Sequence, residues 1–498
     1  MIFKQTLNLK EIKNTRIDYL TENLFSVRAI IFIAITVTTI ILRLNLSFSH
    51  DLILGIDGGY YPVQVRNILN TGLLSFNDLP LYFYFCAFIV KVISVLGFTV
   101  TSEIIISVIK IVDSAALPLL AIPLFKMVSQ KDRNISFFAG LAILLFAVLS
   151  FTPFFILGDL QKNAFAIPMV FLFILFIEEY LINPDKQNLT AVVISLAIIA
   201  LTHFGVFAFC SVFFIILLVL IYRKNAILPS VITIFAGFGM IALFDSDRAF
   251  RLITFWNVIF ERPALFQGPL PIPLLLNMIG SYFLAIVGII QFRRFKDKTD
   301  KITAYMVLSF IVLIIIFAFP LYDLQYFQRF AVLQFIPQSL LVLYLIRMNP
   351  TSAVPFSISL IMLTALSIFI SFSEEKRPCI DDQAFQDLQN IKKYIFEDKK
   401  NTIIIARHGI EFWTAWTLNV KVGNDRSIDK LGLEKYKNII FLQQKNEERQ
   451  GPSGRSPLRK PGPGEGGPPP MGPPVPENFN LIYNSSYFNA YQKLKRYD

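Results

Sequence analysis

Asp57 stands in the segment Gly55-Ile56-Asp57-Gly58-Gly59-Tyr60-Tyr61, just after the first long apolar run of the chain. Consecutive glycines let another molecule approach the backbone closely. A carboxylate at the edge of an apolar region sits in reduced dielectric, where its basicity rises. The chemistry on offer is proton abstraction from an acceptor hydroxyl or amine; the plainer reading is an aspartate that caps the next helix. Asp159 and Lys162 come from a second short polar segment, residues 157–168. Lys162 can hold a phosphate as a point charge, or the two residues can pair at the head of a helix. His203 follows Thr202 at a break between two apolar stretches. A polar group at such a break lines a cavity. It can bind phosphate or relay a proton, or it is an ordinary hydrogen-bonded histidine. Asp323 and Arg329 lie in residues 321–337, among Tyr322, Tyr326 and Phe327. An arginine there fits a lipid-phosphate clamp, or a snorkelling cation in an aromatic belt.

Other chemistries are excluded early. Cys86, Cys210 and Cys379 are too few and too scattered for a disulfide framework or a cysteine-rich metal site. His50, His203 and His408 form no zinc-protease motif.

These residues need a membrane scaffold to position them. The chain of 498 residues is 54% hydrophobic and 16% charged, with mean hydropathy +0.58. That excludes a soluble globular protein, a disordered chain and a secreted disulfide scaffold. Net charge +11 reflects the orientation of basic loops rather than nucleic-acid binding. Residues 1–26 form a polar N-terminal segment. The run 27–46 reads as an anchor helix, with no signal-peptidase site after it. Further apolar runs lie near 103–125, 135–157, 164–182, 204–222, 227–244, 270–292, 302–320, 331–347 and 353–372. Residues 79–97 carry Lys91 and can cross or lie at the interface. If they do not cross, the loops on the N-terminal side hold roughly twice the Lys and Arg of the opposite loops, as the positive-inside rule requires. Residues 190–202 are short, at roughly 20 Å of helix, and pair with 204–222 as a hairpin. The expectation is about eleven spans, with the N-terminus cytoplasmic and the C-terminal segment on the other side. Lys110 and Asp113, three apart in one span, read as an internal ion pair. Glu178 and Glu179 read as solvated at a span end.

Residues 373–498 change composition and read as a small α/β lobe. A helix is expected at 381–397, strands at Thr402–Ala406 and Asn438–Leu442, and a Trp-rich stretch at Glu411–Trp416. Residues 451–476 contain 10 Pro and 7 Gly and read as a disordered insert. After the first span, Pro62 suits a helix start, Val65, Ile68 and Leu69 give an apolar face, and Asn70-Thr71-Gly72 supplies a stop.

The ordered set Asp57 with Tyr60-Tyr61, Leu79-Pro80-Leu81-Tyr82, Asp159, Thr202-His203 and Arg329-Phe330 resembles the GT-C superfamily of integral-membrane glycosyltransferases. The closest types are the protein-mannosyltransferases and aminoarabinose transferases, and the resemblance covers roughly residues 25–372. It implies a GT-C-like helical membrane domain over 27–372. It implies transfer of a sugar, with inversion, from a polyprenyl-phosphate donor in the bilayer to a lipid, glycan or protein acceptor. Asp57 would be the general base and Asp159 would orient acceptor or sugar. Lys162, His203 and Arg329 would hold the donor phosphate, and Tyr60, Tyr61, Tyr82 and Asp323 would line the donor and acceptor sites. The implied location is the plasma membrane. The second loop departs from the pattern: no carboxylate stands two positions after Asp159, so no metal cofactor is called for. Trp413-Thr414-Ala415-Trp416 is only superficially like the oligosaccharyltransferase signature. The competing class is a transporter or flippase of lipid-linked or small solutes, with Lys110 and Asp113 lining its path.

Overall fold

The structure is a computed structural model. It describes residues 27–130, 135–266, 272–373, 376–394, 399–425, 428, 431–445 and 475–493. Most of the Pro/Gly-rich stretch 451–476, and all of 1–26, lie outside the described residues.

Among these residues, eight helices are long and apolar enough to cross a membrane: Val27–Ser47, Ser102–Val128, Phe137–Phe155, Gln161–Ile182, Phe204–Tyr222, Ile227–Phe244, Leu275–Lys298 and Pro350–Ile370. A ninth forms if Leu324–Leu333 and Phe335–Met348, bent by 40° at Gln334, count as one span. Three shorter apolar helices, Leu81–Val95, Lys186–Thr202 and Lys301–Phe317, complete the set. The protein is therefore a polytopic integral membrane protein. The sequence understated one element. Asp185 caps a helix that starts at Lys186 rather than 190, its side chain accepting from Asn188 N. That gives 17 residues, or about 25 Å.

The bundle core is aliphatic and aromatic, with Leu124, Ile143, Phe171, Phe209, Phe310 and Leu341 all buried. Several charges buried within it are paired. Arg43 and Asp113 are both fully buried and lie 3.8 Å apart, and Asp113 accepts from Gly158 N at 2.7 Å. Lys110 instead donates to the carbonyls of His50 and Asp51, at 2.6 and 2.9 Å. The expected Lys110–Asp113 pair is thus replaced by two separate contacts. Lys110 is long enough to reach the carbonyls that follow the first helix, which leaves Asp113 to Arg43. Glu178 is also corrected: it is buried, paired with Arg347 at 2.5 Å and hydrogen-bonded by Tyr344 at 2.9 Å. Its neighbour Glu179 does reach the surface, paired with Lys126 at 2.6 Å.

The C-terminal lobe is a five-stranded sheet of order β2-β1-β3-β5-β4: β1 Thr402–Ala406, β2 Lys421–Asn424, β3 Asn438–Gln444, β4 Phe479–Asn484 and β5 Phe488–Lys493. Strand β1 runs parallel to β2 and β3, while β5 is antiparallel to β3 and β4. The run Ile403-Ile404-Ile405-Ala406 is buried throughout because both sheet faces are covered. Ile403 and Ile405 pack with Ile439, Phe441 and Phe479 on one face. Ile404 and Ala406 face the other core, the period of two expected of a strand. That second core also contains Ile53, Tyr61, Phe83, Val108 and Trp413. The lobe and the first interspan loop therefore share one hydrophobic core.

Candidate functional site

The segment after the first helix folds into the turn that carries Asp57, then a helix at Tyr60–Thr71. Its stop is the expected one: Gly72 adopts φ 79° and donates to Ile68 O at 2.8 Å. Asp159 lies under this turn. Its carboxylate accepts from the backbone N–H of Ile56 and, at 3.5 Å, from that of Asp57. The contact depends on Gly55, which has φ +86°; a Cβ there would lie 2.0 Å from Asp159 Oδ1. Tyr61 donates its hydroxyl to Asp159 O at 3.1 Å. The second polar segment thus holds the backbone that presents Asp57.

The lobe approaches the same turn from the other side. The chain leaving the last span pairs with it, Gly55 N donating to Arg377 O and Cys379 N to Gly55 O, each at 3.1 Å. Arg66 donates to the carbonyls of Ala415 and Trp416, at 2.8 and 2.5 Å, and stacks 4.6 Å from the Trp416 ring. These carbonyls lie in the last turn of the lobe helix Ile410–Leu418, where a cation is favoured. The turn between β1 and that helix, Arg407-His408-Gly409, rests on Ile56; Gly409 has φ +94° and lacks room for a Cβ beside Ile56 O at 3.0 Å.

This docking places a lobe histidine beside Asp57. His408 Nε2 is 3.6 Å from Asp57 Oδ1, and His408 Nδ1 is 2.9 Å from Glu411 Oε1. The side chains of His408 and Asp57 remain 36% and 40% exposed, whereas that of Glu411 is 3% exposed. Loss of hydration pushes the Asp57 carboxyl up from its ordinary value to about 6. Asp159 and Glu411 push in the same direction, and His408 and Lys162 oppose it. An acid that titrates near neutrality while facing solvent is suited to proton transfer. Phe412 completes the surroundings, packing on Tyr60 at 5.0 Å and on His408 at 5.8 Å.

A second buried group lies behind the turn. Lys162 is ion-paired with Asp78, and Tyr60 donates to the same carboxylate at 2.5 Å. Gln64 donates to Tyr60 Oη and to Phe76 O, both at 2.9 Å. The remaining expected site residues fall as follows. Tyr82 is fully buried and donates to Gln161 at 2.8 Å. His203 caps the helix Phe204–Tyr222, its Nδ1 accepting from Val206 N at 3.2 Å. Asp323 caps the helix Leu324–Leu333, accepting from Gln325 N at 3.0 Å. Arg329, on that helix, is exposed. The helix packs against Phe151–Phe155, the short helix that precedes Asp159.

Asp57, Asp159, Tyr60, Tyr61 and Lys162 are therefore brought together, and His203 and Asp323 act as caps on other helices. Sequence reasoning missed Asp78, His408 and Glu411. The signal for His408 was available: a polar turn at the carboxyl end of a parallel strand, where ligand-facing residues collect in α/β units. Among the described residues, no three His, Cys, Asp or Glu side chains gather in a way that could hold a metal ion. The chain matches no known family model and no curated protein.

Proposed function

We propose that the protein is a membrane glycosyltransferase of GT-C type. It would transfer a sugar, with inversion, from a polyprenyl-phosphate donor to an acceptor on the lobe side of the membrane. The observation that carries this reading is Asp57. It is a half-exposed carboxylate with raised basicity, held at the end of a membrane bundle by Asp159 and the glycine turn. As general base, Asp57 takes the proton of the acceptor as that acceptor attacks the anomeric carbon. Asp159 acts by positioning the Asp57 turn. Lys162 is engaged by Asp78 and His203 by its helix, so Arg329 is the group assigned to the donor phosphate. A membrane-embedded catalyst suits a donor whose lipid tail stays in the bilayer.

In this reading the chain crosses eleven times. The helices Lys186–Thr202 and Lys301–Phe317 join the long spans and the bent pair, and Leu81–Val95 lies at the interface. That last assignment is supported by its outward face, where Phe88 and Lys91 are both exposed. The N-terminus is cytoplasmic, the lobe is extracytoplasmic and the membrane is the plasma membrane. The transport reading rested on Lys110 and Asp113 lining a path, and both are held by other groups.

The test is release of polyprenyl phosphate by the purified protein in detergent, with polyprenyl-phosphate mannose, glucose and aminoarabinose as donors. Asp57→Asn should insert and fold but lower release by about 10²–10⁴-fold. Unchanged release by Asp57→Asn would sink the proposal.

A further inference from the structure

We infer that His408 and Glu411 of the C-terminal lobe form the outlet for the proton that Asp57 takes, so that the lobe completes the transfer site. The inference rests on the reading of Asp57 as the base. Its own support is geometric. Glu411 Oε1 lies 2.9 Å from His408 Nδ1. A carboxylate there fixes the tautomer with the proton on Nδ1 and turns the Nε2 lone pair toward Asp57. The 3.6 Å between Nε2 and Asp57 Oδ1 is longer than a hydrogen bond. A small movement of the ring, or one bridging water, closes it.

A second observation comes from Glu411 itself. It is 2% exposed, and its Oε2 is buried with no hydrogen-bond partner among the described residues. A buried carboxylate with an orphan oxygen is poorly compensated by a neutral imidazole and well compensated by an imidazolium. Glu411 is thus arranged for the charged form of His408.

The steps balance. As the acceptor oxygen bonds to the anomeric carbon, the bond from that carbon to the phosphate oxygen breaks, and its electron pair leaves with polyprenyl phosphate. The acceptor proton goes to Asp57. It then passes from Asp57 to His408 Nε2, while Nδ1–H stays on Glu411. The exposed edge of the ring returns the proton to water, and Asp57 is again a carboxylate. The other groups facing Asp57 cannot serve. Asp159 carries like charge and is held by backbone N–H groups, Tyr61 is buried with its hydroxyl on Asp159 O, and Lys162 is paired with Asp78.

The test compares full-length wild type, His408→Gln and Glu411→Gln in detergent. One readout is the pH profile of polyprenyl-phosphate release from the donors above. The other is the infrared titration of Asp57, isolated as the difference from Asp57→Asn in each background. Removing the His408 imidazole, whose influence lowers Asp57, should move the acid limb and the Asp57 titration upward by about half a pH unit. Release should then fall about twofold more at pH 6 than at pH 8. Glu411→Gln should shift both in the same direction by less, and imidazole should restore part of the rate of His408→Ala. A loss uniform across pH with an unmoved Asp57 titration would reduce His408 to a structural role and overturn the inference. Wild-type profiles in both variants would overturn it as well. If wild type releases no polyprenyl phosphate from any donor, the transferase reading fails. The infrared titration then decides alone whether Asp57 and His408 are coupled.

Discussion

Asp57→Asn should stabilise the protein above about pH 6, even as it removes the proposed transfer, because the folded state resists ionising this carboxylate. Its folded value is about 6, against roughly 3.9 for an unfolded aspartate. Where the folded value is raised, the stabilising contribution is full below the unfolded value. It is lost as pH rises through the folded one. Ionisation therefore weakens the fold between about pH 4 and pH 6, and the penalty stays constant above that window. Two pH units would be worth about 3 kcal/mol if unscreened. With 40% of the side chain open to water, screening reduces this to about 1 kcal/mol. Asparagine keeps the shape and carries no charge, so it escapes the penalty. The assay is thermal unfolding in detergent at a fixed scan rate, from about pH 4 to 8.5. The expected difference between variant and wild type is near zero at the acid end and grows to about one or two degrees above pH 6.5. A variant destabilised equally at every pH would refute the reasoning. It would show that Asp57 is a structural cap whose carboxylate is needed charged.

Three further outcomes are expected. Arg347→Met removes the cation that pairs with buried Glu178 and should cost about 3–5 kcal/mol; adding Glu178→Gln should recover most of the lost melting temperature. Gly59→Ala places a Cβ 2.7 Å from Trp413 N and 2.9 Å from Phe412 C. Backbone cannot yield there as a side chain would, so limited proteolysis should show the lobe loosened from the bundle. Gly72→Ala meets no atom within 4 Å and carries only the left-handed strain of φ +79°. It should cost about 1 kcal/mol and leave the lobe protected from the same protease.

The sequence made visible whatever depends on local pattern. Long apolar runs mark spans because an unsatisfied backbone cannot cross a bilayer, and the runs near 27, 204 and 227 coincide with described helices. The helix after Asp57 was legible from Pro62 and Gly72, and β1 from its isoleucines. Partner choice was not legible. Lys110 and Asp113 share one helix face, so spacing alone pairs them. Asp113 instead faces Arg43 on the first helix, and only the packing of the two helices reveals it. Glu178 was misread because it lies near a helix end, where solvent is the default; Arg347 from a later helix covers it. Strands β4 and β5 were missed because Asn480, Asn484 and Asn489 dilute the alternation that marks a strand. His408 escaped because its significance comes from docking. Arg66 and Trp416, 350 residues apart, tie the lobe to the first loop, and only then does a strand-end histidine meet Asp57.

If the proposed lipid-linked sugar binds beside Asp57, the balance of charge there constrains where each of its parts can lie. Asp57, Asp159 and Glu411 supply three carboxylates, and the nearest lysine is already matched to Asp78. A phosphate placed among them would meet like charge, which costs most where water is partly excluded. A sugar ring that gains positive character as its bond to phosphate breaks would be favoured there instead. The same field favours a hydroxyl giving up a proton to Asp57 only if that proton is carried onward, because each proton retained would silence the base. His408 is the one imidazole in contact with Asp57 among the described residues. In the proposed reading the phosphate then lies on the far side of the sugar, toward Arg329 on the helix that packs against Phe151–Phe155. The proposed acceptor then lies on the side of the lobe. In that reading attack and departure fall on opposite faces of the anomeric carbon, as the proposed inversion demands.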